Sequence, residues 1–162
     1  MTALWVASVI KRDVSIVDPW WSIAFLLVAA NGVWRTEISP GKLLVLAAVA
    51  VWAVRLWAYL LWRSRNAPED PRYVAFRQRF GPERYWWVSF FQVFLLQGVL
   101  AFLLSAPLLV STAAGAEDPL SWTDAVALLL FVLGFTLESV ADWQLHRFRT
   151  DPDRTGILDT GL

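Results

Sequence analysis

Three ionisable side chains near the end of the last apolar block recur at every fourth position. Glu138, Asp142 and His146 follow the apolar run 125–135. On an α-helix, residues four positions apart lie on one face, so these side chains predict a single polar stripe. Because an ionisable group close to hydrocarbon is costly and is usually retained for a function, the stripe indicates a site that holds something polar at a membrane face.

Three interpretations of this stripe are open. Carboxylates and imidazole are metal ligands, but the spacing lacks the His-x-x-x-His or Glu-x-x-His pattern of a metal-binding helix. In a cofactor site the acids would hold ribose or amide groups, while Arg147 and Arg149 would hold phosphates. Alternatively, the stripe marks the place where the helix leaves the membrane, with both arginines among lipid headgroups. We favour the cofactor interpretation and expect no bound metal.

Arg55 is a second candidate, because it lies in the middle of an apolar block with Tyr59 and Arg63 at helical spacing on its side. A guanidinium at that depth needs an acid, an anion or a cavity. Glu138 and Asp142 are possible partners, as is a ligand phosphate. A structural ion pair between helices is an equally good interpretation.

Asp18 is a third candidate, at the start of the first long apolar block. Pro19 suits the first turn of a helix, so Asp18 is expected to be the N-cap. The alternative is a carboxylate that faces a cavity. The basic loop 63–73 would either close over an anionic ligand or contact anionic lipid.

Composition places these residues in a membrane protein. The chain of 162 residues is 57% hydrophobic and 17% charged, with 11 Trp, which is too apolar for a soluble domain. Four blocks approach or reach the roughly 20 residues that cross a bilayer: 17–34, 43–62, 87–112 and 122–143. We predict an all-α, polytopic transmembrane helical bundle with about four full spans and a short N-terminal apolar helix over 1–10. With no Cys, the chain has no disulfides or thiolate metal sites.

Charge alternates from loop to loop, although the net charge is zero. Basic residues concentrate before the first span, in the connection 63–86 and after the fourth span, whereas the other loops hold few. This alternation predicts a multi-pass protein with its basic loops in the cytoplasm, in a bacterial inner membrane. We expect membrane lipid as a partner and no nucleic acid.

Turn and cap residues predict the local structure between spans. Asn66-Ala67-Pro68-Glu69-Asp70-Pro71 should break the chain, and 72–80 should form a short helix on the membrane face, ended by Gly81-Pro82. That helix would use Tyr73, Phe76 and Phe80 as its apolar side.

Two further signals concern the third and fourth spans. Pro107 predicts a kink or an early end of the third block. Ser121 is expected to cap the fourth span, with Asp124 completing a capping box.

Several of these segments resemble the steroid 5-alpha-reductase superfamily, in particular its uncharacterised bacterial branch. The resemblance covers nearly the whole chain, and its motifs are Ser15-Ile16-Val17-Asp18-Pro19-Trp20-Trp21, Asn66-Ala67-Pro68-Glu69-Asp70-Pro71-Arg72-Tyr73, Gly134…Glu138…Ala141-Asp142-Trp143-Gln144-Leu145…Phe148-Arg149 and Gly156-Ile157…Asp159-Thr160-Gly161-Leu162.

The resemblance implies a helical membrane reductase that uses NADPH to reduce an activated carbon–carbon double bond in a lipophilic, steroid-like or enone substrate. Hydride would go to the β-carbon, and an acid near the carbonyl would stabilise the developing enolate. Asp142 matches an acid position of the family, and Arg149 and Arg55 match arginine positions. The predicted site therefore has Asp18 and Glu138 as catalytic residues and Arg55, Asp142, His146 and Arg149 as cofactor contacts.

The sequence departs from the family in three ways. Trp52 stands where the steroid reductases have a proton-donating Tyr, and Val17 replaces the Gln of the same set, whose acid corresponds to Asp18. The family also continues beyond the position of Leu162, so residues 1–162 are expected to be the N-terminal portion of a longer fold, as a single transmembrane domain. Two rival interpretations are an isoprenylcysteine methyltransferase-like enzyme and a membrane scaffold with structural ion pairs.

Overall fold

The computed structural model describes residues 1–113 and 120–151, with residues 156, 158 and 161. The chain divides into two compact units, Met1–Asp118 and Pro119–Leu162. The single transmembrane domain expected over 1–162 stays a prediction. The helices of the described residues, in chain order, are α1 (Thr2–Lys11), α2 (Val17–Trp34), α3 (Pro40–Ser64), α4 (Pro71–Phe80), α5 (Tyr85–Ser89), α6 (Leu96–Leu104), α7 (Ala106–Ala113) and α8 (Trp122–Thr150).

The predicted all-helical membrane fold is confirmed. Across the described part of the chain, four helical stretches are long and apolar enough to cross a membrane. They are Val14–Trp34, Pro40–Ser64, Tyr85–Leu104 and Trp122–Thr150, and Thr2–Lys11 is a shorter apolar helix. The protein is therefore a multi-pass membrane protein.

The third span is less regular than the hydropathy predicts. A π-helical segment, Phe90–Leu95, separates α5 from α6, and a break at Ser105 separates α6 from α7. The kink predicted from Pro107 is thus confirmed, since this residue lies in the first turn of α7. The π-turn is a second interruption of the block 87–112, and the sequence did not predict it.

Capping side chains define the starts of α3 and α8, and a glycine defines the end of α4. Ser39 accepts a hydrogen bond from the Lys42 backbone N–H at 3.4 Å. The predicted capping box of α8 is confirmed, because the Ser121 N–H donates to Asp124 Oδ2 at 2.7 Å. Gly81 ends α4 as predicted, with a φ of 88° that a residue with a side chain rarely adopts.

The core of the first unit lies where the segment 14–17 at the start of α2 meets α4 and the third span, and α1 packs against it. Its buried residues are Val14, Val17, Tyr73, Tyr85, Val93 and Phe94. Tyr73 belongs to it, and Phe76 packs against it, whereas Phe80 is 40% exposed. The apolar side predicted for α4 is thus used mainly through its first two aromatic residues.

At the opposite end of the first unit, α7 packs closely on α2. A Cβ built on Gly32 would lie only 2.8 Å from Thr112 Cβ, so this contact needs a glycine. Thr36 joins the two helices, because its hydroxyl is 3.0 Å from the Gly32 carbonyl oxygen and 3.1 Å from that of Thr112. The Lys42 ammonium, in a nearly buried side chain, donates to Thr36 Oγ1 at 3.0 Å. Small residues at such contacts are typical of membrane helix packing.

Candidate functional site

A hydrogen-bond network joins the start of α2 to α4 and α6. The Tyr73 hydroxyl donates to Asp18 Oδ1 at 2.6 Å, and Arg72 Nη2 donates to Asp18 Oδ2 at 3.0 Å. On the other side, Gln97 Nε2 is 3.5 Å from the Tyr73 hydroxyl oxygen. We call these four residues the Asp18–Tyr73 network.

Asp18 is not the N-cap of α2, so the favoured sequence interpretation is wrong. A 3-10 turn, Val14–Ile16, runs directly into the helix, and the N-cap is Ile16. Asp13 is the residue that caps this turn, by accepting from the Ser15 N–H at 2.9 Å. The Asp18 side chain is therefore available for side-chain donors from α4.

Local sequence explains why α4 presents Tyr73 to Asp18. Asp70 is the N-cap of α4 and accepts from the Arg72 N–H at 2.9 Å, and Pro71 starts the helix with its fixed φ. The Asp70 N–H in turn donates to Ser15 Oγ at 2.7 Å. The entrance of α4 is thus fixed directly beside the entrance of α2.

Glu69 provides a second attachment between the same segments. It accepts from the Val14 N–H at 2.8 Å and from Arg77 Nη2 at 2.7 and 3.0 Å. Arg77 also donates to the Arg12 carbonyl oxygen at 3.2 Å. The Glu69 side chain is only 13% exposed, so this ion pair is largely shielded from water. The basic loop therefore closes on the chain's own carboxylates.

The π-helical segment orients Gln97 toward the network. Val93 and Phe94, both within this segment, are buried in the core of the first unit. Gln97 follows two residues after the segment and faces Tyr73. Its Oε1 atom is buried and has no hydrogen-bond donor among the described residues. π-Bulges occur frequently at functional sites, because they re-aim side chains.

Burial and charge set the protonation of the network's α4 residues. Burial raises the pKa of the Tyr73 phenol far above its ordinary value, and the hydrogen bond to Asp18 adds to the rise. The side-chain hydrogen bond with Asp70 raises the pKa of Arg72, and the same bond lowers the pKa of the Asp70 carboxyl. At neutral pH, Tyr73 is therefore a neutral phenol, and Arg72 is a cation beside two carboxylates.

Arg55 lies at mid-span in α3, as predicted. The Tyr59 ring lies between two guanidinium groups, with Arg55 Cζ 5.7 Å and Arg63 Cζ 5.8 Å from its centroid. The predicted helical spacing of the three residues is thus observed. Trp52, the residue at the family's Tyr position, packs edge-on against Phe25 with ring centroids 5.7 Å apart. The prediction that Arg55 shares a space with Glu138 and Asp142 involves both units and stays a prediction.

In the second unit, the polar stripe lies on one uninterrupted helix. Glu138, Asp142 and His146 all fall within α8, whose 29 residues extend about 44 Å, against about 30 Å of hydrocarbon. The helix is thus longer than the hydrocarbon layer is thick. Arg149, near its C-terminal end, is exposed, and the Arg147 guanidinium lies 5.6 Å from the centroid of the Trp143 ring.

The polar side chains along α8 are of the chemical types that bind the polar part of NADPH. Asp142, His146 and Arg149 follow one another at spacings of four and three, so they line one helix face over about 10 Å. A carboxylate accepts from ribose hydroxyls, and a guanidinium binds phosphates. Among the residues that the structure describes, no group of three or more His, Asp or Glu side chains is placed to hold a metal ion.

The sequence assigned no catalytic role to Tyr73, Gln97 or Arg72. Arg72 and Tyr73 were part of the basic loop 63–73, which was expected to close over an anionic ligand or to contact anionic lipid, and Tyr73 was also expected to pack an apolar face. Gln97 is an ordinary polar residue of an apolar span. Tyr73 contacts Asp18 and Gln97 contacts the Tyr73 hydroxyl, and both contacts join segments that are distant in sequence. A signal was present in the succession of Asp70, Pro71 and Tyr73, which predicts a capped helix with a phenol in its first turn.

Comparison with known proteins extends over almost the whole chain. An uncharacterized protein of Schizosaccharomyces pombe is 31% identical over 148 residues, covering 87% of this chain. The aligned region is 43% of that protein, so this chain spans less than half the length of the curated relative. No solved structure matches significantly. Residues 4–162 match the family described as "Protein of unknown function (DUF1295)", and the chain belongs to this family.

Proposed function

We propose that the protein is part of an integral membrane reductase, which uses NADPH to reduce an activated carbon–carbon double bond in a lipophilic enone. The observation that carries the proposal is the 2.6 Å hydrogen bond from the buried Tyr73 phenol to Asp18. The motif resemblance to the steroid 5-alpha-reductase superfamily supports the same reaction class. The four helical stretches that are long and apolar enough to cross a membrane agree with a membrane location for it.

In this proposal, Tyr73 supplies the phenol that is missing at the family's Tyr position. Trp52 stands at the family's Tyr position and has no phenol, but α4 brings a phenol to Asp18 from a different element. In this proposal, Gln97 of α6, 3.5 Å from the Tyr73 hydroxyl, has the role of the Gln that Val17 replaces. A Gln, an acid and a Tyr are thus assembled from three separate segments.

The chemistry required of these residues is the stabilisation of negative charge on a carbonyl oxygen. NADPH, when bound, supplies the hydride that adds to the β-carbon. The carbonyl oxygen then needs a proton, and a carbonyl that enters the network competes with Asp18 for the proton on Tyr73. Because Tyr73 is only 4% exposed, little water weakens its hydrogen bonds. The phenol regains its proton from solvent, and the enol becomes the saturated ketone.

The cofactor contacts that we propose are Asp142, His146 and Arg149 on α8, with Arg55 toward a phosphate. Glu138 remains a candidate second acid. The alternation of basic loops supports a cytoplasmic location for the ends of the spans that carry Asp18 and Arg149, on the side where NADPH is available. We propose a bacterial inner membrane for the same reason of charge.

The test is NADPH oxidation by the purified natural protein in lipid nanodiscs, with a panel of enones. Tyr73→Phe is expected to lower the rate about 10²–10³-fold, as does the loss of one oxyanion donor in other enzymes. Tyr85→Phe is the matched control, because Tyr85 is equally buried and its hydroxyl has no hydrogen-bond partner among the described residues. Equal rates for folded Tyr73→Phe and wild type would refute the role of the phenol.

Cofactor identity is tested separately by thermal shift. NADPH should raise the melting temperature of the wild type, and Asp142→Ala and Arg149→Ala should each reduce that shift. A shift with S-adenosylmethionine and none with NADPH would overturn the reductase in favour of a methyltransferase. No shift with either nucleotide would favour the scaffold interpretation.

A further inference from the structure

A polar cavity lies at the membrane face where two of the spans begin. Val14, the first residue of one span, lines this cavity, and so does Tyr85, the first residue of another. The residue after α1 and the last turn of α4 contribute Arg12 and Arg77 to the wall. Because both spans start here, the cavity lies at the depth of the lipid headgroups rather than in the hydrocarbon.

Arg77 is held in place with part of its hydrogen-bonding capacity unused. Its Nη2 atom donates to both Glu69 carboxylate oxygens and, at 3.2 Å, to the Arg12 carbonyl oxygen, and its Cζ atom lies 5.0 Å from the centroid of the Tyr85 ring. Its Nε and Nη1 atoms donate to no acceptor among the residues described. The side chain is 26% exposed, so a ligand can reach it. A guanidinium fixed in this way is suited to the oxygens of a phosphate.

Arg12 is the second cation of the cavity, and its backbone is strained. Its φ of 55° lies in the left-handed region, which glycine and asparagine adopt far more easily than arginine. Its guanidinium makes no ion pair or hydrogen bond within the described part of the chain. Since Glu69 already compensates Arg77, Arg12 supplies the uncompensated positive charge. Strained backbone of this kind occurs frequently at ligand clamps.

A carboxylate lies in the same wall as the two arginines. Glu83, between α4 and α5, lines the cavity but forms no ion pair with Arg12 or Arg77. A purely anionic ligand would be attracted by the arginines and repelled by Glu83. A ligand that carries both a phosphate and an ammonium can interact favourably with all three side chains.

Apolar side chains in the wall favour a lipid over a free phosphate. Val9 and Trp86 line the cavity, and both are exposed. Trp5 fixes Trp86, because its Nε1 atom donates to the Trp86 carbonyl oxygen at 2.8 Å and the two rings stack with centroids 6.3 Å apart. Tryptophan is typical of the headgroup depth of a bilayer. The glycerol end of a lipid would therefore find an apolar surface beside the charged groups.

We propose that this cavity binds the headgroup of a phospholipid that carries a phosphate and an ammonium, of the phosphoethanolamine type. Arg12 and Arg77 hold the phosphate, Glu83 holds the ammonium, and Val9 and Trp86 contact the glycerol end. Basic pockets between membrane helices bind lipid headgroups in this way. The site shares no residue with the Asp18–Tyr73 network, so its assignment does not depend on the proposed reductase function.

Native mass spectrometry of the natural protein in detergent measures which lipids are retained. Phosphatidylethanolamine and phosphatidylglycerol with identical acyl chains are added in equal amounts. We expect phosphatidylethanolamine to be retained in preference, because only its headgroup has an ammonium for Glu83. Glu83→Gln should remove this preference. Millimolar inorganic phosphate should not displace the lipid, since it lacks the contacts with Val9 and Trp86.

Arg12→Gly tests the phosphate contact without disturbing the fold, because glycine readily adopts the φ that Arg12 has. It should weaken retention of phosphatidylethanolamine about tenfold, as the loss of a charge-assisted hydrogen bond does. Lys11→Gln is the matched control, because it removes the same charge from the neighbouring residue, which does not line the cavity. If Arg12→Gly does not fold, Arg12→Asn also suits this backbone conformation.

Equal retention of the two lipids by the wild type, or displacement of the lipid by inorganic phosphate, would overturn the proposal. Retention at the wild-type level by a folded Arg12 variant would overturn it as well. Equal weakening by the Arg12 variant and by Lys11→Gln would show a general effect of charge and would also count against a site in this cavity.

Discussion

Replacement of Gly32 by Ala should destabilise the protein through a single contact between α2 and α7. The added Cβ would lie 2.8 Å from Thr112 Cβ and closer still to Thr112 Oγ1. Ordinary van der Waals contact between such atoms begins near 3.4 Å, so α7 must retreat by roughly 1 Å. Thr112 is fully buried and cannot turn away into solvent.

The displacement would also lengthen a hydrogen bond. Thr36 Oγ1 is 3.1 Å from the Thr112 carbonyl oxygen, and an added ångström takes it outside bonding distance. Overpacking costs about 1–3 kcal/mol and the lost bond about 0.5–1.5 kcal/mol, offset by about 1 kcal/mol from the better helix propensity of Ala. We expect a net loss of about 1–3 kcal/mol in the free energy of unfolding.

The measurement is reversible unfolding in mixed micelles, followed by circular dichroism. Gly41→Ala is the matched control, because Gly41 lies in the first turn of α3 with nothing within 4 Å of an added Cβ. It should be neutral or stabilise by up to about 1 kcal/mol. The double variant with Thr112→Ala should recover part of the loss, since it removes the closest atom. A Gly32→Ala protein as stable as Gly41→Ala would show that the two helices do not pack this closely.

Three further predictions concern the segment that carries α4. Glu69→Gln should cost about 2–4 kcal/mol in the free energy of unfolding, because Arg77 loses its largely shielded ion pair. In the control Glu83→Gln, at an exposed position, the free energy of unfolding should change by less than about 0.5 kcal/mol. Equal values for the two variants in denaturant titrations would contradict this prediction. The lowered pKa of Asp70 contributes stability that is present above its unfolded pKa of about 3.9 and is lost as the pH falls through the lower folded value, so Asp70→Asn should flatten the acid limb of a stability–pH curve. The raised pKa of Tyr73 acts in the opposite direction. Its contribution to the free energy of unfolding is complete below about pH 10 and is lost as the pH rises toward the pKa of the folded state. Tyr73→Phe should therefore remove one late-titrating phenol from the tyrosinate absorbance curve. Loss of a phenol that titrates near pH 10 instead would refute the burial of this hydroxyl.

Hydropathy and charge predict the spans well, because both act locally along the sequence. The first span was predicted over 17–34 and is observed as Val17–Trp34. The second extends beyond the predicted 43–62 to Pro40–Ser64, since a Ser cap and a Pro in the first turn add a turn at its start.

The irregular part of the third span could not be predicted in the same way. Phe90–Leu95 reads as ordinary apolar sequence, and no residue in it disfavours a regular α-helix. Its residues Val93 and Phe94 belong to the core of the first unit, and the contacts of that core come from distant segments that local sequence does not reveal. Pro107, by contrast, acts on its own backbone, and the break it predicts is observed.

The candidate site shows the same division. Asp18 was selected from its charge and position, but its partners come from 54 and 55 residues further along the chain. Only the fold brings an arginine and a phenol to this carboxylate. The stripe on α8 is the converse case, since its spacing on one helix follows from sequence alone, while its partners stay a prediction.

The π-helical segment has a consequence for how this span can change in length. Each residue inserted or deleted in an α-helix rotates everything beyond it by about 100°. The π-helical segment is an exception, because a π-turn holds about one residue more than an α-turn. Loss of one residue between 90 and 95 would restore regular winding with little net rotation, so Gln97 and Gly98 would keep their present neighbours. A single-codon deletion there should therefore be tolerated far better than one in α6 itself, where no extra residue absorbs the rotation.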